Sequence, residues 1–124
     1  MDPIADMFSQ IYTAQRAGYE QTIVPFSRMK MGILEILKKS GKIGDFKEIK
    51  EQKFRKIQLK LLPTDNWQAQ KISKPGKRVY ASNGNIPRPK NYNGVIIVST
   101  SQGIMLGEDA RKKGLGGEII AEVA

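Results

Sequence analysis

Two segments in the first half of the chain carry apolar residues at the three-to-four-residue spacing of an amphipathic helix. The first segment starts with Asp2-Pro3, an N-cap followed by proline at the first helical position, and ends at Gly18. The second starts at Ser27, which can cap a helix, and ends at Gly41, where glycine suits the C′ position. The pattern therefore predicts two helices, each with one apolar face.

Apolar and polar residues alternate in the rest of this half, which predicts short strands. We expect one strand over residues 20–26. Pro25 has no amide hydrogen to donate, so it either makes this an edge strand or marks the end of the strand. Two more, over residues 46–49 and 54–62, are expected to form a hairpin with one buried face and one wet, basic face. The first half is therefore predicted to be an α+β unit with two helices on a short sheet.

The second half is dominated by short apolar runs and turn signals, which predicts a mostly β unit. Strands are expected over residues 69–73, 78–81, 95–98, 104–105 and 118–123, and a short helix over residues 107–113. Asn83-Gly84 is a strong signal for a tight turn.

A run of turn-forming residues, Pro63-Thr64-Asp65-Asn66, separates the two halves and predicts a boundary between residues 62 and 68. We therefore expect an α+β chain of two small subdomains, an N-terminal one over residues 1–62 and a β-rich C-terminal one over residues 69–124. Trp67, the only tryptophan, is expected to pack at this junction rather than to stack on a base.

The net charge of the chain indicates what kind of partner it binds. There are 21 Lys and Arg against 12 Asp and Glu, which gives a net charge of +9. Both halves share the excess, so it does not form a separable basic arm. A strongly basic domain favours a polyanionic partner such as nucleic acid, although the same charge can serve solubility alone.

The absence of cysteine and histidine excludes whole classes of chemistry. No disulfide framework or zinc finger can form, and no mechanism can use a histidine base or a cysteine nucleophile. Asp2 and Asp6 have no evident third ligand for a cation, so neither a metal nor another cofactor is expected. The acidic start and the lack of a long apolar run predict a cytoplasmic protein without membrane contact, and no enzyme is predicted.

Three segments of the second half could contact RNA. The hydroxyls of Ser99-Thr100-Ser101-Gln102-Gly103 can bond to bases, phosphates or 2′-hydroxyls. In Gly114-Leu115-Gly116-Gly117-Glu118, flexible amides follow the cations Arg111-Lys112-Lys113, which suits phosphate contact. In Lys74-Pro75-Gly76-Lys77-Arg78, a basic turn precedes Tyr80, whose ring could stack on a base. Each segment could also be an ordinary surface loop or turn.

In their order along the chain, these segments resemble the bacterial type of the S-eight family, a universal family of small-subunit ribosomal proteins. The resemblance covers nearly the full length, and its most specific strings lie in the second half. The matching strings are Asp2-Pro3-Ile4-Ala5-Asp6-Met7, Glu35-Ile36-Leu37-Lys38, Ile72-Ser73-Lys74-Pro75-Gly76, Arg78-Val79-Tyr80, Ile86-Pro87, Ser99-Thr100-Ser101 with Gly103, Ala110-Arg111 and Gly116-Gly117-Glu118.

The resemblance implies a non-enzymatic structural constituent of the small ribosomal subunit. Such proteins bind the central domain of the small-subunit RNA directly, support assembly of the platform and lie beside other small-subunit proteins. Many bacterial members also repress their own operon by binding a messenger RNA that mimics the ribosomal site. The resemblance places the main contacts on the C-terminal subdomain.

We therefore expect RNA contacts at a set of polar, basic and glycine residues. These are Ser99, Thr100, Ser101, Gly103, Gly116, Gly117, Glu118, Tyr80, Lys113 and Lys74. Ser9 and Lys30 look like a secondary contact surface. Where the family commonly carries Arg, Arg and Asn, the first helix here has Gln10, Tyr12 and Thr13. This contact is therefore expected to be weaker, or to move to the basic stretch of residues 38–60.

Two alternatives remain open from the sequence. A basic protein–protein adaptor would use the charge to dock acidic partners and would show no preference among RNAs. A dedicated messenger-RNA repressor would act outside the ribosome. Cofractionation with small subunits would separate these alternatives from a ribosomal constituent.

Overall fold

The structure of the chain, a computed structural model, describes residues 2–63 and 67–124. The boundary predicted between residues 62 and 68 thus includes residues 64–66, which lie outside the described ones. The chain divides into two compact units, residues 3–67 and residues 1–2 with 68–124. Helices and two antiparallel sheets confirm the predicted α+β class. The subdomain limits at residues 62 and 69 stay a prediction.

The described residues of the first unit form two helices and three strands. They are α1 (Pro3–Arg16), β1 (Gln21–Pro25), α2 (Arg28–Lys39), β2 (Phe46–Glu51) and β3 (Phe54–Lys60). The strands form an antiparallel sheet in the order β1-β3-β2, so β1 is an edge strand and β2–β3 is a hairpin, as predicted. No helix in the described part of the chain is long and apolar enough to cross a membrane.

The helices begin and end at the predicted capping residues. Ser27 Oγ accepts a hydrogen bond of 3.1 Å from the amide of Lys30, which satisfies a donor in the first turn of α2. Gly41 follows the helix with a φ of +74°. The amide of Lys42 then donates to the carbonyl of Leu37 at 2.8 Å, which closes the last turn. A left-handed glycine ends α1 in the same way.

The core of the first unit combines apolar side chains of both helices with those of one sheet face. Its most buried members include Ile11, Val24, Ile33, Leu34, Leu37, Ile57 and Leu59. Gln58 lies between two of these buried β3 residues and is only partly buried, as the predicted alternation requires. Trp67 is 4% exposed, and its ring centroid is 6.2 Å from that of Phe8. The prediction that it is a packing residue is confirmed.

The described residues of the second unit form five strands, a short helix and a 3-10 turn. They are β4 (Ala69–Lys71), β5 (Tyr80–Ala81), the 3-10 turn (Asn83–Asn85), β6 (Val95–Thr100), β7 (Gly103–Leu106), α3 (Gly107–Lys112) and β8 (Gly117–Val123). β8 is the central strand, with β4 and β5 on one side, β6 on the other and β7 beyond β6. The predicted mostly β unit with one short helix is therefore confirmed.

The segment before β6 contains the predicted tight turn and one shortened strand. Asn83-Gly84 lies in a 3-10 turn, which the amide of Asn85 closes by donating to the carbonyl of Ser82 at 2.9 Å. The strand predicted over residues 78–81 is reduced to its last two residues. The amide of Val79 donates to Ser73 Oγ at 3.1 Å, so this amide is not used in strand pairing.

β8 begins where the backbone lies very close to both neighbouring strands. A Cβ atom on Gly117 would lie 2.1 Å from the carbonyl oxygen of Ser99 in β6. A Cβ atom on Gly116 would lie 2.5 Å from the carbonyl oxygen of Ala81 in β5. Both distances are far below van der Waals contact, and backbone atoms cannot rotate away as a side chain can. Both positions therefore require glycine for the sheet to close at this end.

Gly117→Ala is expected to lower the free energy of unfolding by about 2 kcal/mol or more, because the added methyl forces β8 away from β6. Urea unfolding would measure the loss. Gly76→Ala is the matched control, since a Cβ there would meet nothing within 4 Å and its φ is not positive. Equal stability of the two variants would contradict the requirement for close approach.

Candidate RNA interface

The segment from Ser99 to Gly103 is a strand hairpin, and its prediction as a polar loop is wrong. β6 extends to Thr100 and β7 starts at Gly103, which leaves a two-residue turn. Thr100 Oγ1 donates to the carbonyl of Gly103 at 2.8 Å and accepts from the amide of Gln102 at 3.1 Å. Gly103 has a φ of +114°, which favours glycine at the end of this turn.

The hydroxyls of this hairpin divide into one that builds the turn and two that stay available. Thr100 uses its hydroxyl hydrogen and one lone pair within the turn. The hydroxyls of Ser99 and Ser101 have no hydrogen-bond partner among the described residues, and Ser101 is exposed. A ligand could therefore bond to both serines without breaking an existing interaction.

The glycine segment is more ordered than its composition predicted. Gly114, with a φ of +69°, ends α3, and the amide of Leu115 donates to the carbonyl of Ala110 at 2.9 Å. Gly117 and Glu118 belong to β8. The prediction of flexible amides is wrong for Gly116 and Gly117, because adjacent strand backbones fix them. Residues 113–116 connect α3 to β8 and lie outside helix and strand.

Strand pairing brings three of the predicted segments into one row. Glu118 in β8 pairs with Tyr80 of β5 on one side and with Ser99 of β6 on the other. Directly paired residues on adjacent strands share a face and lie about 5 Å apart. The row therefore joins a tyrosine that is 69% exposed to the hydroxyl hairpin across the centre of the sheet.

The carboxylate of Glu118 holds the segment that carries the basic turn. Its Oε2 accepts from Ser73 Oγ at 2.5 Å and from Arg78 Nη1 at 3.1 Å. Ser73 is fully buried and also accepts the amide hydrogen of Val79. The side chain of Glu118 is only 16% exposed. These contacts favour a positioning role for Glu118, whereas the resemblance predicts that it contacts RNA.

Ser73 is the member of this network that sequence reasoning missed. It lies in the matching string before the basic turn, but nothing in the string distinguishes a fully buried hydroxyl from an exposed one. Its bond to Glu118 joins residues that are 45 positions apart, so no local sequence pattern reveals it.

Two basic residues predicted to contact phosphate lie at the surface. Lys74 closes the basic turn, since its amide and carbonyl pair with those of Lys77 at 3.1 and 2.8 Å. Lys113 caps the C-terminus of α3, and both residues are exposed. The described residues contain no group of three or more acidic side chains placed to hold a metal ion.

Ser9 and Lys30, which were predicted to form a secondary contact surface, lie in the first unit and differ in exposure. Ser9 is exposed on α1. Lys30 is only 5% exposed, and its ammonium donates to the carbonyl of Pro25 at 3.1 Å. Burial lowers the pKa of Lys30, and the charge of Asp6 acts in the opposite direction. The contact between Lys30 and RNA stays a prediction, and the ammonium already forms a hydrogen bond within the unit.

Gln10 and Tyr12, which stand where the family commonly has arginines, form hydrogen bonds within the fold. Gln10 Nε2 donates to Thr22 Oγ1 at 3.0 Å and to the carbonyl of Ile23 at 2.5 Å, along the free edge of β1. Arg16 donates to the hydroxyl of Tyr12 at 3.2 Å and lies 5.5 Å from the ring centroid. The α1 surface thus carries intramolecular polar contacts where the family commonly has cations.

Comparison with known proteins gives one consistent result. The family profile described as ribosomal protein S8 matches residues 2–124. The small ribosomal subunit protein uS8 of Geobacillus stearothermophilus is 44% identical over 126 residues, with 98% of this chain and 96% of the relative covered. The proteins of the same name from Synechococcus elongatus and Acholeplasma laidlawii are each 42% identical with the same coverage.

Ser73→Ala is expected to lower the free energy of unfolding by about 1–3 kcal/mol, because it leaves the Val79 amide unsatisfied and removes a donor from Glu118. Ser101→Ala is the control, and it should change stability by less than about 0.5 kcal/mol. Urea unfolding of both variants measures the difference. If the two were equally stable, Ser73 would not hold the network.

Proposed function

The chain belongs to the ribosomal protein S8 family, and we propose that it binds the central domain of the small-subunit ribosomal RNA directly. As a member of this family it is a structural constituent of the small ribosomal subunit and resides in the ribosome, in the cytoplasm. Direct binding would make it an early component that supports assembly of the platform beside neighbouring small-subunit proteins.

The observation that carries this proposal is the row formed by Tyr80, Glu118 and Ser99. It places an exposed ring, an anchored carboxylate and the available hydroxyl of Ser99 on one face. RNA-binding proteins use such a combination to read irregular helices, where splayed bases expose their edges and stack on aromatic rings. We call this row together with the β6–β7 hairpin the polar face.

Each residue of the polar face has a separate role in the proposed mechanism. Ser99 and Ser101 bond to base edges or 2′-hydroxyls, and Tyr80 stacks on a base or a sugar. Thr100 and Gly103 hold the hairpin turn, and Gly116, Gly117 and Glu118 hold β8 and the basic turn in place. Lys74 and Lys113 contact flanking phosphates. The exposed Ser9 remains a secondary contact in this proposal.

Repression of the chain's own operon would use the same polar face. A messenger RNA that presents the same irregular helix offers the same splayed bases and phosphates, so binding requires no second site. We include this activity in the proposal because of the resemblance to family members that repress their operons.

A basic adaptor for acidic proteins is the second candidate, and the net charge of +9 is the observation that favours it. It requires no ordered hydroxyls or exposed tyrosine. It predicts that RNA binding depends on charge alone and is equal for every RNA of the same length.

Affinity for the central-domain helix is expected to exceed affinity for a scrambled hairpin of equal length by roughly 1000-fold at about 0.15 M salt. Salt at this level weakens nonspecific attraction to phosphates, so the ratio reports recognition. Filter binding or fluorescence anisotropy measures both constants. Equal, weak binding to the two RNAs would contradict the proposal and favour the adaptor.

Two variants distinguish the contribution of specific recognition to RNA binding from the contribution of charge. Lys113→Ala should reduce the slope of log K against log salt by about 0.7–0.9, because it removes one cation from a phosphate, while the preference for the specific RNA persists. Ser101→Ala should reduce that preference by about 1–3 kcal/mol, by analogy with base-pair readout, while the slope persists. Losses that are equal on specific and scrambled RNA for both variants would contradict this division of roles.

A further inference from the structure

The three-stranded sheet of the first unit has one buried face and one exposed face. Val24, Ile57 and Leu59 are at most 1% exposed and lie on the buried face. Because side chains alternate along a strand, the residues between them point the other way. This open face carries Gln21, Ile23, Pro25, Lys47, Ile49, Glu51, Phe54, Lys56, Gln58 and Lys60.

Strand β3 crosses the centre of the open face and carries the features of a nucleic-acid surface. It places Phe54, Lys56, Gln58 and Lys60 at intervals of about 7 Å along one line. Phe54 is 66% exposed at the end of this line. The register sets Lys47 of β2 directly opposite Gln58. An exposed ring, cations and an amide therefore follow one another along the strand.

The open face lies in the most basic part of the chain. Residues 38–60 contain nine basic and three acidic side chains. Each acidic side chain already pairs with a cation of the same stretch: Asp45 with Lys38 at 2.9 Å, Glu48 with Arg55 at 2.5 Å and Glu51 with Lys56 at 3.5 Å. Lys47 and Lys60 form no salt bridge with any described residue, so their charges remain available to an anion.

A groove on the open face brings these two lysines beside a pair of amides. It has a volume of about 220 Å³ and is lined by Gln21, Asp45, Phe46, Lys47, Gln58 and Lys60. Gln58 Nε2 donates to Gln21 Oε1 at 2.7 Å. This bond fixes both side chains and leaves the Gln58 carbonyl oxygen and the Gln21 amide hydrogens for other partners.

The single acidic residue in the groove does not prevent the approach of an anion. A hydrogen bond and the charge of Lys38 lower the pKa of Asp45, so the carboxylate is ionised and paired. The charge of Lys60 lowers this pKa further. Neither Lys47 nor Lys60 forms a salt bridge with this carboxylate, so both lysines can still contact an anion.

We propose that the open face is a second RNA-binding surface, which holds a single-stranded segment of the RNA that the polar face recognises. Lys47 and Lys60 contact its phosphates, the amides of Gln21 and Gln58 bond to a base edge or a 2′-hydroxyl, and Phe54 stacks on a base. The proposal rests on the proposed function, because it takes the same RNA as ligand. The combination of cations that follow a backbone with a ring for stacking is typical of single-strand recognition.

The test compares two open-face variants with a matched control on two RNAs. The variants are Lys47→Ala/Lys60→Ala and Phe54→Ala. The control is Lys39→Ala/Lys90→Ala, which removes the same charge from two exposed lysines outside the open face. The RNAs are the minimal central-domain helix that shows full discrimination and the complete small-subunit RNA.

The double-lysine variant should lower the salt slope on the complete RNA by about 0.7 for each single-strand phosphate that no longer meets a lysine. Phe54→Ala should weaken that binding about fivefold or more, the lower end for a base stack. Both variants should bind the minimal helix as the wild type does, and the control should match the wild type on both RNAs. All variants should unfold at the urea concentration of the wild type, since the side chains are exposed.

If both open-face variants bound the complete RNA with the affinity and the salt slope of the wild type, this result would overturn the second surface. Normal RNA binding combined with poor incorporation into reconstituted subunits would also overturn it, since the open face would then dock a protein. Failure of the wild type to prefer the minimal helix over a scrambled hairpin would instead overturn the proposed function, whatever the variants do.

Discussion

At the start of β8, the backbones of β5 and β6 lie so close to it that a Cβ atom at Gly116 or Gly117 would overlap a carbonyl oxygen. Gly117 lies against the carbonyl of Ser99, and Gly116 lies against that of Ala81. The polar face depends on this approach, because it draws Glu118 into register between β5 and β6. A larger residue at Gly117 would push β8 away from the hairpin that bears the hydroxyls. These glycines therefore act through close packing and not through flexibility.

The polar groups around this approach form two classes. One class is satisfied within the fold: Thr100 closes the hairpin, and Ser73 and Glu118 hold the basic turn. The other class, represented by Ser99 and Ser101, has no partner in the described residues. A buried, satisfied network fixes the geometry, so that the available hydroxyls need little reordering when they bind. Recognition by such a face relies on preorganised contacts, while the surrounding lysines supply attraction.

Local signals predicted the elements whose ends depend on local chemistry, such as α2 between Ser27 and Gly41. Local signals failed where contacts with other strands or with a backbone carbonyl determine the structure. Ser99 and Thr100 look like loop residues, yet they complete β6, because Ser99 pairs with Glu118 of β8 and Thr100 pairs with Gly103 of β7. The amphipathic stripe of α2 could not show that Lys30 turns inward to a backbone carbonyl. The segments of the polar face could be predicted from the sequence. Their alignment in one row could not, because it depends on the order of strands in the sheet.

Backbone amide chemical shifts of the labelled chain would show whether the polar face recognises RNA. The central-domain helix would be added at about 0.15 M salt, where nonspecific contacts are weak. We expect the largest shift changes at residues 99–103 and 116–118 and at Tyr80. A scrambled hairpin should leave the shifts of these residues unchanged. Changes spread over the lysines of both units, and equal for the two RNAs, would contradict recognition by the polar face.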